Sequence, residues 1–181
     1  MRTDEEAKNI WFSGDLHFLH EKIIAICNRP TTIENHDRWL IDRINSVVNK
    51  RDDLYILGDV SMANRDKTEK LLDQLHGQKF LIIGNHDNSI KSSTRFHHTA
   101  QIHNFTFDSP SYPNIHIVLC HYPMLSWERK VHGSAHLYGH VHGRLQGVGL
   151  SFDIGVDANN YFPLNLEQVM DKLTKISLNF M

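Results

Sequence analysis

One phrase recurs along this chain and restricts its fold more than any other feature: a short apolar run rich in β-formers, then usually glycine, then a polar residue that can bind a metal. It stands as Trp11-Phe12-Ser13-Gly14-Asp15, Tyr55-Ile56-Leu57-Gly58-Asp59, Leu81-Ile82-Ile83-Gly84-Asn85 and Leu137-Tyr138-Gly139-His140, and without the glycine as Val118-Leu119-Cys120-His121. Such runs read as buried strands. The glycine is expected to turn the backbone sharply, so that the next side chain projects over the strand end.

Helical patterns separate the strands. Glu34 to Lys50 carries Trp39, Leu40, Ile44, Val47 and Val48 at the 3–4 spacing of one buried stripe. Asp66 to His76 repeats the pattern before Gly77, which stands where a C-cap glycine would, and Glu21 to Cys27 reads as a shorter helix stopped near Pro30. Alternating strands and helices predict parallel βαβ units in the first half, with polar residues gathered at the carboxyl ends of the strands. In the second half, Ile102 to Phe107 and Ile115 to Leu119 flank a turn-rich segment and predict a strand pair. A strand around Ser151 to Gly155 and a helix from Leu164 to about Ile176 complete one α/β domain over 1–181, expected as two sheets in a sandwich.

Composition excludes several classes. A chain of 181 residues buries roughly 70% of its unfolded surface and needs no staple. Cys27 and Cys120 form no CxxC pair, which argues against a disulfide framework, a zinc ribbon or a thioredoxin-like motif and favours a reducing compartment. Met1 to Lys8 carries no apolar signal region and no apolar run reaches membrane-span length, so a soluble cytoplasmic protein is expected, with no membrane partner. The net charge of −2 and the scatter of Lys67, Lys70, Lys79, Lys91 and Arg95 predict no strong nucleic-acid patch. Fourteen histidines are the compositional excess.

Taken singly, Asp15-Leu16-His17, Gly58-Asp59, Gly84-Asn85-His86-Asp87 and Gly139-His140-Val141-His142 are weak signals. In this order, each after an apolar run, they resemble the calcineurin-like metallophosphoesterase superfamily from Ile10 to about Val169. The segments Asp15 to His20, Asn28-Arg29-Pro30 and Gly155 to Pro163 are similar to a compact, uncharacterised branch found in bacteria and their viruses; Lys22 departs from the asparagine expected there. The resemblance implies a four-layer α/β/β/α sandwich of two mixed sheets flanked by helices. It also implies two divalent ions, one held by Asp15, His17 and His142, the other by Asn85, His121 and His140, with Asp59 bridging. Nitrogen and oxygen donors without thiolate suit Mn, Fe, Zn, Ni or Co, with manganese placed first.

The activity implied by the resemblance is hydrolysis of phosphate esters by a metal-bridging hydroxide. His86 is expected to protonate the leaving oxygen, with Asp87 either holding its tautomer or capping the following turn. His20 and Arg29 are candidate substrate contacts, Arg29 with a helix-end salt bridge as its alternative. His36, His76, His97, His98, His103, His116, His132 and His136 read as solvated or structural. Tyr122, Trp127 and Tyr161 read as core aromatics before a stacking wall.

Subfamily signatures narrow the expectation. Val60-Ser61-Met62-Ala63-Asn64 and Asp87 stand where protein serine/threonine phosphatases carry Asp-Arg-Gly and glutamate, and Met62 stands where purple acid phosphatases carry a tyrosinate. The chain is too short for the capping domains of large DNA-repair nucleases. A small phosphodiester or nucleotide-type substrate is expected first and a phosphomonoester second. The remaining alternative is a non-catalytic scaffold, since this fold also serves as a protein-binding platform in the retromer coat. Oligomeric state is not specified.

Overall fold

The computed structural model describes residues 2–178; Met1 and 179–181, the ends of the expected 1–181 domain, lie outside them. After a single helical turn α1 (Asp4–Ala7), strands β1 (Ile10–Ser13), β2 (Asp53–Ile56), β3 (Gln78–Ile82) and β4 (Phe96–Ala100) form a parallel sheet in the order β4-β3-β2-β1. The two-residue β9 (Leu164–Asn165) adds antiparallel to β1. The second sheet has the order β5-β6-β7-β8, from β5 (Ile102–Phe107), β6 (Ile115–Cys120), β7 (Ala135–Tyr138) and β8 (Ser151–Asp153). Its β5–β6 pair is the expected strand pair, antiparallel and in register from Ile102↔Cys120 to Phe107↔Ile115, while β6–β7 and β7–β8 are parallel. The chain is thus the expected pair of mixed sheets flanked by helices.

Period-two alternation divides the core. Phe12, Tyr55, Ile82, Phe105, Phe107, Ile117, Leu119, Leu137 and Phe152 face one another between the sheets, and α5 (Leu166–Leu178) inserts Leu166, Val169 and Leu173 into the same core. Leu54, Ile56 and Leu81 point the other way, on to Leu40, Ile41 and Ile44 of α3 (His36–Val47) and Leu72 of α4 (Arg65–Leu72). The outer face of the second sheet is covered by the segment 121–134, where the Trp127 ring lies 5.3 Å from His136 and donates Nε1–H to Ser134 O at 3.0 Å. Trp127 is therefore a packing residue.

The differences from expectation have local causes. The α4 helix ends at Leu72 rather than near His76, because Asn45 Oδ1 accepts from His76 N (2.8 Å) and Val48 O from His76 Nδ1 (3.0 Å), drawing the chain on to α3. Gly77 takes φ +86 in the turn into β3 and is not the helix cap. The α5 helix starts at Leu166 because Asn165 and Gln168 exchange backbone and side-chain hydrogen bonds, both at 2.9 Å. The α2 helix (Ile23–Cys27) ends at a left-handed Asn28, two residues before Pro30. Strand β4 was not foreseen: its run Phe96-His97-His98-Thr99-Ala100 is a polar edge strand with no apolar alternation.

Among the described residues no helix is long and apolar enough to cross a membrane.

In the outer core Trp11 Nε1 donates to the buried Asp52 carboxylate at 2.9 Å, and Asn49 N donates to the same oxygen at 2.8 Å. Trp11→Phe is expected to lower unfolding stability by about 1.5–3 kcal/mol, the range for a hydrogen bond to a charged group. A urea titration at unchanged m reads this directly; a loss below about 0.5 kcal/mol would place the bond among those that contribute nothing net.

Candidate metal centre

Parallel pairing brings the carboxyl ends of β1, β2 and β3 to one edge, and those of β6 and β7 to the same side of the sandwich. Asp15, Asp59, Asn85, His121 and His140 follow these ends directly. The loops are laced together: Asp15 N donates to Gly58 O (3.0 Å), His17 N to Asp59 O (2.9 Å) and Gly139 N to His121 O (2.9 Å). Leu57 O accepts Nδ1–H of His121 at 2.8 Å, which joins the two sheets at the site.

The turns differ from the expected glycine turns. Five of the seven expected metal-binding residues themselves take the left-handed conformation: Asp15 (φ 55), His17 (51), Asp59 (53), His140 (69) and His142 (51). A non-glycine residue there costs about 1–3 kcal/mol and persists only where its surroundings over-determine it. Of the glycines in the recurrent phrase only Gly58 has positive φ, at +81. Gly84 serves close approach instead, since a Cβ there would lie 2.7 Å from Asp59 N and collide with Asp59 Oδ1.

Two groups of donor atoms result, each within 4.8 Å of one another: Asp15, His17 and His142, and Asp59, His121 and His140. Asp59 stands between them, with Oδ2 3.6 Å from His17 Nε2 and Oδ1 3.5 Å from His121 Nε2. Asn85 Oδ1 lies 3.2 Å from His121 Nε2, completing the second group. Both ring nitrogens of His17 are buried without a hydrogen-bond partner, and burial drives its pKa far down. In His121 the bond to Leu57 O assigns the proton to Nδ1 and turns the Nε2 lone pair towards Asn85 and Asp59. Unpaired imidazole nitrogens and carboxylate oxygens pointing at shared space fit divalent cations in both groups.

The supports of this centre are residues to which sequence reasoning assigned other roles or none. Arg29 is 3% exposed and is not a substrate clamp. Its guanidinium donates to both Asp157 oxygens (2.9 and 2.7 Å), to Leu16 O (2.9 Å) and to Asp15 O (2.8 Å), and meets His36 Nε2 at 2.7 Å. His36 Nδ1 in turn meets Asp37, whose carboxylate accepts from Leu19 N at 3.1 Å. This chain of contacts holds the turn containing Asp15, His17 and Leu19. Asp157 Oδ2 also accepts from His142 Nδ1 at 2.7 Å, leaving Nε2 for the first donor group. Burial opposes the His142 cation, yet without a metal ion the Asp157 and Cys27 contacts hold its pKa up to about 10, so a metal ion at Nε2 would displace a proton. Cys27, His142 and Asp157 lie close enough to form a third donor group, but Arg29 already neutralises Asp157. Asp157 was visible in sequence only as part of Gly155 to Pro163.

Asp87 does not hold the His86 ring. Its carboxylate is fully buried and accepts from Gly84 N (2.7 Å), Asp59 N (2.9 Å) and Val60 N (2.9 Å), so it ties two metal-site loops together. Nor does it cap the turn that follows, Asp87–Ser89, since its three donors are Gly84 N before it and Asp59 N and Val60 N on another loop. The His86 side chain is 37% exposed, with Nε2 3.9 Å from Asp59 Oδ2, while its backbone N–H orients Asp59 Oδ1 at 3.0 Å. The His20 ring lies 5.4 Å from His17 at the mouth. Tyr122 is half-exposed, its ring 4.9 Å from both His121 and His140, and Tyr161 packs 4.9 Å from Trp39.

No family model matches the chain. It is similar to an uncharacterized protein of Methanocaldococcus jannaschii, 28% identical over 178 residues that cover 93% of each chain. The Gene 66 protein of Mycobacterium phage L5 is 39% identical over 82 residues, 44% of this chain and 40% of that protein. Among solved structures, a protein of unknown function from Aquifex aeolicus superposes with a TM-score of 0.69 at 24% identity, over 91% of this chain and 98% of that one. The likeness to the Aquifex protein shows a shared fold, so any chemistry must rest on the donor atoms themselves.

Proposed function

We propose that the chain is a dinuclear metal-dependent phosphoesterase of the calcineurin-like type and that it favours phosphodiesters. One observation carries the reading: Asp59, grouped with His121 and His140, turns one oxygen on His121 at 3.5 Å and the other on His17 of the Asp15–His17–His142 group at 3.6 Å. Asp15, His17 and His142 would hold one cation, and Asn85, His121 and His140 the other. Divalent ions held there would supply Lewis-acid charge to phosphoryl oxygens and would lower the pKa of bound water.

The chain's own groups do the rest. Asp59 spaces the two donor groups, with Asp87 fixing its backbone and His86 N its Oδ1. Asp157 orients His142, and Leu57 O orients His121. His86, half-exposed beside Asp59, is the side chain best disposed to give a proton to a leaving oxygen. Arg29 is committed to Asp157 and two carbonyls and is not available to clamp a phosphate dianion, which supports a diester over a monoester.

Metal-loaded protein is expected to hydrolyse bis(4-nitrophenyl) phosphate faster than 4-nitrophenyl phosphate, with activity abolished by chelator and by Asp59→Asn. A higher monoesterase rate would reverse the substrate preference. Absence of turnover across a broad ester panel at two ions per chain would return the reading to a protein-binding scaffold.

Asp157→Asn keeps the shape but weakens the hold on His142 and Arg29. It is expected to lower the affinity of one of the two ions by about 10–100-fold, the usual effect of removing such a support. Calorimetric metal titration separates the two sites; equal weakening of both, or of neither, would contradict the assignment of Asp157 to the Asp15–His17–His142 group.

A further inference from the structure

Beside the metal centre runs a groove of about 380 Å³ that metal binding and proton transfer leave unused. It opens at His20, whose Nδ1 accepts from Lys22 N at 3.3 Å, leaving Nε2 as the available ring nitrogen. Its walls carry three large apolar side chains that stay open to solvent: Leu19 (45% exposed), Ile33 (54%) and Met62 (44%). Glu21 and Lys67 stand on the same groove. Lys67 has no carboxylate within 4.0 Å among the described residues, and the Asp37 carboxylate nearby is already taken by Leu19 N and His36.

The volume lies within the range of small-molecule sites, about 300–1,000 Å³, and is too small for a folded partner. A lining that mixes apolar walls with imidazole, carboxylate and ammonium does not suit an acyl chain, which has no polar edge to match. It suits a planar group with apolar faces and hydrogen-bonding edges, joined to a negative charge. We infer that the groove receives a nucleoside as one arm of the phosphodiester: the base lies against Leu19, Ile33 and Met62, with His20 and Glu21 meeting its polar edges. Lys67 matches the charge of a further phosphate on the same nucleotide. This rests on the phosphoesterase reading and names its substrate class, nucleotide-derived diesters.

The test compares two esters with the same leaving group, thymidine 5′-(4-nitrophenyl phosphate) and methyl 4-nitrophenyl phosphate, on zinc-loaded protein. Ligand-observed NMR of thymidine alone on the same protein provides a readout independent of turnover. The wild type is expected to show kcat/KM about tenfold higher for the thymidine ester, the usual worth of a modest apolar subsite. Ile33→Asp and Met62→Glu should remove that preference and the thymidine signal while leaving the methyl ester unchanged. Equal kcat/KM for the two esters, or a preference that survives both variants, overturns the groove assignment and leaves ester hydrolysis standing. Turnover of neither ester, with thymidine binding lost in both variants, overturns the hydrolase and keeps the nucleoside site. Neither turnover nor thymidine binding overturns both.

Discussion

Concentrating buried carboxylates and imidazoles at one edge of a sandwich is the constraint around which this molecule is organised. Asp15, His17, Asp59 and His121 are all nearly inaccessible to water. Burial, chiefly, pushes the Asp15 carboxyl up to about 8, with Asp153 and Asp59 adding to the effect while His142 and the His140 N–H oppose it. Such a cluster is tolerable only where each charge meets a backbone N–H, a counter-charge or a cation. The chain supplies the first two in quantity. Asp15 takes His140 N with both oxygens, Asp87 takes three N–H groups, Asp153 takes Gly143 N and Gly155 N, and Arg29 takes Asp157.

Those contacts also explain why the donor residues can hold left-handed backbone. Each turn is pinned from a distant part of the sequence: Arg29 reaches Asp157, 128 positions away, and His140 N reaches Asp15, 125 positions away. Pinning transfers the cost of the turn to the whole fold, so the core between the sheets and the helices behind the first sheet stabilise a geometry the local sequence would not adopt. The donor atoms are consequently held by rigid strand ends and their crossed loops, the arrangement that preorganises a site.

The parts of this arrangement that are local were legible in the sequence. Strand-final Asp15, Asp59, Asn85, His121 and His140 each follow an apolar run, and a period-two pattern places such residues on an edge whatever the partner strands are. The parts that depend on long-range pairing were not. Nothing near Arg29 signals that its guanidinium is consumed by Asp157 and two carbonyls, and nothing near Asp87 signals that its carboxylate faces three backbone donors instead of an imidazole. His36, one of the histidines without a special role, is structural as expected, but its structure is a link between Arg29 and Asp37 that no spacing rule contains. Strand β4 escaped for the opposite reason. It is an edge strand whose polar histidines carry no burial signal, so only pairing with β3 makes it a strand.

The same division between local and long-range explains why the buried arginine and the exposed groove belong to one design. A guanidinium at the mouth would bind phosphate strongly but would also repel any cation held by the donor groups. Burying Arg29 commits its charge to Asp157 and its remaining hydrogen bonds to the Asp15 turn and His36, so no guanidinium faces the mouth. The wall beside that mouth is then free to be apolar. Leu19 makes the connection physical: Asp37, held through His36 to Arg29, fixes its backbone N–H, and its left-handed turn delivers the side chain to the groove. The network that positions His17 two residues earlier therefore also shapes the surface against which a substrate arm would lie, and the two cannot vary independently.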